Sequence, residues 1–194
     1  MSEQAGSEPG LPRGARLGVD VGMARIGLAA SDPDGLVATP VETVPRVLAA
    51  PGNGSGKGGG KAPRSAEGTT ADVERIVAEA AERFAAVVYV GLPRHLSGKE
   101  GAATADARAF AKRLVTALEA AHERAEVRLV DERMTTVSAH QALSAAGRKT
   151  KRHRSVIDQA AAVIILQSAL DAERAKGERA GELVEVRTVH DTHD

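Results

Sequence analysis

Hydrophobic residues in the first quarter of this chain fall into three short runs, separated by residues that favour turns. Short apolar runs bounded by Gly, Asp and Pro are typical of β-strands. We therefore predict strands over 16–20, 26–30 and 36–44, with a tight turn after Asp20. Because the connections between them are short, the three strands are expected to pair as antiparallel neighbours.

Later in the chain the apolar positions change to helical spacing. Between residues 70 and 84 they recur every three or four residues, behind a cap at Thr69 or Thr70. A buried strand over 86–90 follows, and the order repeats with a helix over 102–121 and a strand over 127–130. Because a helix connects each strand to the next, these strands are expected to run parallel. The sequence predicts an α/β fold with a mixed five-stranded sheet, three antiparallel strands and then parallel βαβ units, with flanking helices.

The remaining segments predict one domain with polar flanks. The further elements expected are two helices and a weak strand, over 136–146, 156–172 and 184–189. Residues 1–15 and 173–194 are polar, charged or rich in small side chains, so we predict a disordered and a flexible tail around a single domain over 16–172. Glycine, serine, lysine and proline dominate residues 51–68, which predicts a flexible insertion in that domain.

The composition limits the chemistry open to this protein. The 194 residues include no cysteine, which excludes disulfides, thiolate zinc sites and cysteine nucleophiles. The formal net charge is zero, which argues against a surface that is positive overall. Aromatic residues make up 2% of the chain, which argues against a base-stacking platform. No apolar stretch is long enough to span a bilayer, and the first residues lack the apolar run of a signal peptide, so we expect a cytoplasmic protein.

Acidic residues follow the predicted strands at the sheet edge where α/β proteins form their sites. Asp20 ends the first strand, and Asp131 and Glu132 follow the last one. Asp158 is expected in the first turn of the last predicted helix. Carboxylates that are distant in sequence but meet at one edge suit the binding of two Mg²⁺ or Mn²⁺ ions in phosphoryl transfer.

Each acidic residue also has a purely structural interpretation. Asp20 before Val-Gly is typical of a turn former, and Asp131 and Glu132 fit solvated residues ahead of a helix. Ser155 and Asp158 stand at capping-box spacing, which would have the Asp158 carboxylate accept a backbone N–H. Side chains alternate along a strand, so Asp131 and Glu132 are expected on opposite faces, and the pattern does not choose between them.

A cluster of positive charge directly precedes the last predicted helix. Five of the seven residues 148–154 are Lys or Arg. Such a run is either a solvated loop or a site for a polyanion that relieves its self-repulsion. None of the six histidines has the spacing of metal ligands.

Four runs of the sequence resemble, in order and spacing, the motifs of the YqgF family, also called RuvX, of Holliday-junction-resolvase-like proteins. They are RLGVDVGMARIGLAAS, VVYVGLPRHLSGKEG, VRLVDERMTT and SVIDQAAAVIILQSAL, and the similarity spans about residues 16–172. The resemblance implies a ribonuclease H-like fold and a metal-dependent nuclease that uses Mg²⁺ or Mn²⁺. Its acidic residues fall here on Asp20, Glu132 and Asp158 as catalytic residues and metal ligands, which selects Glu132 over Asp131.

The resemblance further implies a nucleic acid partner. Its phosphates would be held by Arg133 and by the basic residues before Asp158, which are Lys149, Lys151, Arg152 and Arg154. The implied function is processing of the 5′ end of precursor 16S ribosomal RNA, with resolution of Holliday junctions or a non-catalytic RNA-binding assembly role as alternatives. An actin-like or sugar-kinase-like ATPase would need a second copy of the D-x-G motif, which the chain lacks. Monomer and homodimer stay open.

Overall fold

The computed structural model describes residues 11–48, 69–93, 101–132 and 151–186, with the backbone alone for residues 151–156. These ranges contain six strands and three helices. The strands are β1 (Arg16–Val21), β2 (Arg25–Ser31), β3 (Ala38–Pro45), β4 (Val87–Leu92), β5 (Glu126–Asp131) and β6 (Glu182–Leu183). The helices are α1 (Ala71–Glu82), α2 (Ala102–Ala120) and α3 (Lys151–Lys176).

The strands form one mixed sheet in the order β3-β2-β1-β4-β5-β6. β1, β2 and β3 pair antiparallel, and β1, β4 and β5 pair parallel across their helical connections. This arrangement confirms the predicted α/β class, with three antiparallel strands followed by parallel βαβ units. The sixth strand, β6, pairs antiparallel with β5 and was not expected where it lies.

The two faces of the sheet carry separate apolar cores. Successive side chains of a strand point to opposite faces, so Leu17 and Val19 of β1 pack with α1 and α2. Tyr89 of β4 and Val130 of β5 pack on the other face with α3. β4 is buried along its whole length because helices cover it on both sides.

Helix α3 rests directly on the backbone of β1 and β2. A Cβ built at Gly18 would lie 2.6 Å from Leu166 Cβ, and a Cβ built at Gly27 would lie 1.9 Å from the carbonyl oxygen of Asp158. Real Cβ atoms are not found this close to their neighbours. These two strand positions therefore require glycine, and the contact fixes where Asp158 stands over the sheet.

The last helix begins earlier than predicted. It starts at Lys151 rather than at residue 156, so the backbone of Lys151, Arg152 and Arg154 is helical rather than part of a loop. Lys and Arg are good helix formers, and a positive run does not end a helix by itself. The prediction that Asp158 lies in the first turn is wrong, because about two turns precede Asp158. The alternative interpretation, a capping box with Ser155, is excluded for the same reason.

The chain beyond residue 172 contributes to the fold through a buried ionic cluster. Glu173 of α3 is 4% exposed and accepts hydrogen bonds from Arg16 Nε (3.1 Å), from Arg179 (2.8 Å) and from the Tyr89 hydroxyl. The Ala180 N–H donates to the same hydroxyl (3.3 Å). Part of the segment predicted as a flexible tail is thus packed against the sheet, because polar side chains rather than apolar ones hold it.

The weak strand predicted over 184–189 is displaced. The strand lies at Glu182–Leu183, and residues 184–186 are not in a strand. The predicted helix over 136–146 and the insertion over 51–68 lie outside the described residues. Among the helices that the structure does describe, no helix is both long and apolar enough to cross a membrane.

Candidate active site

Asp20 lies near the carboxyl end of the central strand β1, on the face that α3 covers. It alternates with Val19 and Val21, which pack on the opposite face, and it shares its face with Gly18. In the antiparallel register Asp20 stands directly opposite Gly27 of β2. Asp20 is partly exposed, at a strand end that the sequence predicts as a site.

Asp158 reaches the same place from helix α3. Its backbone carbonyl lies against Gly27, which is the strand neighbour of Asp20. Its side chain is 25% exposed, and one carboxylate oxygen accepts a hydrogen bond of 2.7 Å from Arg25 Nε. Since residues opposite each other in an antiparallel pair have Cα atoms about 5 Å apart, Asp20 and Asp158 are close neighbours across Gly27.

Glu132 approaches Asp20 from the opposite side. Its Oε1 lies 2.8 Å from where a Cβ of Gly91 would stand. Val19 pairs with Val90 in the parallel register of β1 and β4, so Gly91 comes level with Asp20. Asp20 is therefore flanked on both neighbouring strands by glycines. The space beside Gly27 is occupied by the backbone of Asp158, and the space beside Gly91 by Glu132 together with Ile165.

The strand register distinguishes Glu132 from Asp131. Val130 packs on the α3 face, so alternation turns Asp131 to the other face and returns Glu132 to the face of Asp20. Asp131 pairs with Leu92, which belongs to the core under α1 and α2. The geometry favours Glu132 as the partner of Asp20, as the resemblance implied.

The environment of Glu132 disfavours its charged form. Burial raises the pKa of the Glu132 carboxyl above its ordinary value, and the adjacent Asp131 carboxylate raises it further. A cation bound beside Glu132 would reverse this trend, because it stabilises the deprotonated form.

The carboxylates suit Mg²⁺ or Mn²⁺ by chemistry, and they share one face of the sheet. Both ions prefer hard oxygen ligands, and Asp20, Glu132 and Asp158 come from three elements to one face. Among the described residues no three acidic or histidine side chains are gathered closely enough to form a complete metal site. The Asp158 carboxylate accepts a hydrogen bond from Arg25. The three carboxylates therefore fit the ion by their oxygen chemistry and by lying on one face, but their side chains do not converge on one point.

The structure describes only some of the predicted phosphate-binding residues. Arg133 and Lys149 lie outside the described residues. The backbone of Lys151, Arg152 and Arg154 lies at the start of α3, within about two turns of Asp158 on the same helix. The described part of the basic run, residues 151–154, is therefore close to Asp158 along one helix.

A residue that the sequence analysis did not single out is Arg25. It stands two positions before Gly27 on β2, so it shares the face of Asp20, and it contacts Asp158 directly. Strand alternation from Gly27 could have placed it on this face. Its contact with Asp158 could not have been found that way, since 133 residues separate the two.

The turn that joins Asp20 to Arg25 is held by a backbone hydrogen bond and by a buried arginine. The Gly22 N–H donates to the Arg25 carbonyl (2.9 Å), and the Arg46 guanidinium donates to the Gly22 carbonyl (2.9 Å). The Arg46 side chain is 1% exposed and also pairs with Asp106 of α2 (2.9 Å). This buried cation fixes the turn relative to the helices on the far face of the sheet.

Comparisons with known proteins find relatives over most of this chain. The model of the RuvX family, described as a Holliday junction resolvase, matches residues 58–172. A protein of Clavibacter michiganensis subsp. michiganensis is 53% identical over 171 residues, which are 88% of this chain and 91% of that protein. A protein of Streptomyces coelicolor is 50% identical over 178 residues, 92% of each chain. Both relatives are named, provisionally, as pre-16S rRNA nucleases.

The solved structures that match are more distant. The RuvC protein of Thermus thermophilus, in complex with a Holliday junction substrate, aligns with 88% of this chain and 99% of its own. Its sequence identity is 16% and the TM-score is 0.46.

Proposed function

This chain belongs to the RuvX family of Holliday junction resolvases, and from that premise we propose that it is a metal-dependent nuclease that processes the 5′ end of precursor 16S ribosomal RNA. The observation that carries the proposal is the position of Asp20 between two glycines. Gly27 admits the backbone of Asp158, and Gly91 admits the carboxylate of Glu132. Three acidic residues from separate elements then serve one site.

In the proposed reaction the three carboxylates hold and orient the catalytic cations. Mg²⁺ or Mn²⁺, when bound, supplies the positive charge that lowers the pKa of the attacking water and offsets the charge on the scissile phosphate. Asp20 contributes oxygen ligands from the rigid central strand, and Asp158 contributes them from α3. Glu132 must give up its proton to act as a ligand, so the burial that raises its pKa makes cation binding compete with protonation.

The basic residues are assigned to the substrate backbone. Arg133, Lys149, Lys151, Arg152 and Arg154 are proposed to contact phosphates near the site, which positions the nucleic acid without reading its sequence. Such contacts make affinity depend steeply on salt, because each neutralised phosphate releases condensed counterions.

The choice of RNA rests on the relatives. Proteins about half identical to this chain are named for precursor 16S rRNA, so we assign the same substrate here. The description of the family model favours a second candidate, a four-way DNA junction. We place the activity in the cytoplasm, where a bacterial ribosomal RNA precursor is made and trimmed.

The test compares two carboxylates that lie on opposite faces of the sheet. Asp20→Asn removes a proposed ligand, whereas Asp131→Asn removes a neighbouring acid turned to the other face. We measure cleavage of a labelled RNA spanning the 5′ end of 16S rRNA, and of a four-way DNA junction, with Mg²⁺, Mn²⁺ or chelator. Several kcal/mol of charge stabilisation are lost with a ligand, so Asp20→Asn should slow cleavage by about 1000-fold. Asp131→Asn removes no proposed ligand and only relieves its repulsion of the Glu132 carboxylate, so it should not slow cleavage.

The outcomes separate the candidates. Cleavage of the RNA but not the junction, abolished by chelator and by Asp20→Asn, supports the proposal. Cleavage of the junction alone moves the assignment to the second candidate. Undiminished metal-dependent cleavage by Asp20→Asn protein, purified free of host nuclease, would refute the site.

A further inference from the structure

Arg25 presents a charged group at the site whose hydrogen-bonding capacity is only partly used. Its Nε donates to the Asp158 carboxylate at 2.7 Å, and 32% of its side chain is exposed. Among the described residues its two terminal amino groups make no hydrogen bond. A guanidinium carries five N–H donors in a planar fork that matches the oxygens of carboxylates and phosphates. Arg25 therefore keeps N–H donors on its terminal amino groups that no described residue uses.

The ion pair alone does not explain why a cation stands here. Pairs exposed to this degree contribute little to stability, about 1 kcal/mol or less. A positive charge beside a proposed metal ligand also opposes cation binding through Coulomb repulsion. An anion that bridges the guanidinium and the bound cation would remove this conflict, and the phosphodiester of the substrate is such an anion.

The backbone around Arg25 is fixed relative to Asp20. Asp20 pairs with Gly27, and Arg25 lies two residues away on the same face of the same strand. The Arg25 carbonyl accepts the Gly22 N–H at 2.9 Å, and the Arg46 N–H donates to the Ala24 carbonyl at 3.0 Å. A guanidinium that starts from such a rigid position loses less entropy when it binds a ligand.

We propose that Arg25 is a further catalytic residue of this site, which holds Asp158 through Nε and a non-bridging oxygen of the scissile phosphodiester through its terminal amino groups. The inference rests on the proposed nuclease function. It assigns the phosphate contact nearest to the acidic residues to β2 rather than to the basic run that leads into α3.

The decisive experiment measures binding in a background that cannot use the ion pair. Asp158→Asn removes the carboxylate, so a residue that acts only by orienting Asp158 has nothing left to orient. We compare Asp158→Asn with Asp158→Asn/Arg25→Gln for binding of a fluorescein-labelled RNA spanning the 5′ end of 16S rRNA, with chelator present, over a series of salt concentrations. This readout does not require metal or cleavage.

If Arg25 binds phosphate, the double variant should bind roughly tenfold more weakly at low salt, since hydrogen bonds to charged groups are strong. Its plot of log affinity against log salt should be shallower by about 0.7, the value for one phosphate contact on a single strand. Equal affinities and equal salt slopes for the two proteins would overturn the proposal.

Two further variants separate charge from geometry and from folding. Arg25→Lys keeps the charge but loses the planar fork, so it should restore the salt slope in the Asp158→Asn background and leave cleavage impaired when Asp158 is intact. Arg108→Gln is the control for the loss of a partly exposed, ion-paired arginine, because Arg108 of α2 is 26% exposed and its terminal amino groups donate to the Glu182 carboxylate (2.8 and 3.1 Å). It should change neither affinity nor slope.

The two proposals fail in different ways. A loss of affinity in Arg108→Gln as large as in Arg25→Gln would mean that any arginine contributes equally, and would refute a specific role for Arg25. An unsubstituted chain that neither binds nor cleaves the RNA or the junction overturns the proposed function together with this inference. A chain that cleaves normally while Arg25→Gln has no effect on binding or rate overturns the inference alone.

Discussion

Replacing Gly27 by alanine tests whether the contact between α3 and β2 sets the site. The new Cβ would stand 1.9 Å from the Asp158 carbonyl oxygen and 2.5 Å from its carbonyl carbon. Both are backbone atoms, so no side-chain rotation can relieve the overlap. Ordinary non-bonded contacts begin near 3.5 Å, so the helix would have to retreat by roughly 1.5 Å at Asp158.

The cost follows from the packing that this retreat disturbs. Overpacking by one methyl group typically destabilises a core by about 1–3 kcal/mol, and the upper end applies here because the obstacle is backbone. A displacement of about 1 Å at a catalytic group can lower a rate by about 100-fold. We therefore expect Gly27→Ala to lose about 3 kcal/mol of folding free energy and most of its cleavage activity.

Urea unfolding followed by circular dichroism gives the free energy, and cleavage of the RNA substrate gives the rate. Cleavage is measured well below the unfolding midpoint, so that the rate reports on folded protein. A Gly27→Ala protein as stable and as active as the unsubstituted chain would show that α3 does not rest on β2 at Asp158.

Three more predictions concern the surrounding structure. Gly91→Ala places a Cβ 2.8 Å from Glu132 Oε1 and 2.6 Å from the flexible end of Ile165. It should therefore weaken Mn²⁺ binding, measured by electron paramagnetic resonance, and cost less folding free energy than Gly27→Ala. Unchanged Mn²⁺ affinity would contradict the placement of Glu132. Burial and the hydrogen bond to the Glu173 carboxylate raise the pKa of the Tyr89 hydroxyl, so stability that is full below about pH 10 should fall above it, where only the unfolded chain ionises. In urea unfolding between pH 8 and 11, Tyr89→Phe should lose less unfolding free energy with rising pH than the unsubstituted chain. Equal pH slopes for the two proteins would contradict the role of the Tyr89 hydroxyl. Arg46→Met leaves the buried Asp72 without its cation and should cost about 3–5 kcal/mol in the same assay, with Asp106→Asn as the milder comparison because Asp106 is exposed.

The sheet was predictable because its signals are local. Alternating and continuous apolar runs located β1 to β5, and helical spacing located α1 and α2, since each pattern reflects the faces that the element itself buries. The early start of α3 was missed because its first residues are basic and carry no apolar periodicity. The end of α3 was missed because its Glu173 is held by Arg16, which lies 157 residues away in sequence. β6 was missed because it joins the sheet by backbone pairing with the distant strand β5.

The acidic residues were predictable as candidates but not as a group. Each one alone had a structural alternative, and only the resemblance in four motifs joined Asp20, Glu132 and Asp158. The role of the glycines was beyond sequence reasoning of this kind. A glycine inside a strand indicates a weak point or a close approach, but which partner approaches Gly27 or Gly91 depends on residues far along the chain.

The position of Asp158 is determined along the whole of α3 rather than at Asp158 alone. Gly27 meets the helix at Asp158, Gly18 meets it at Leu166, and Arg16 holds it at Glu173. The last of these contacts is about 22 Å from the first, at 1.5 Å per helical residue. A helix fixed at three points can neither slide nor rotate without breaking a packed or ionic contact, so the distance between Asp158 and Asp20 depends on residues that touch no substrate. Substitutions at Glu173 or Arg16 should therefore lower cleavage as well as stability, because they loosen the helix that carries one of the three carboxylates.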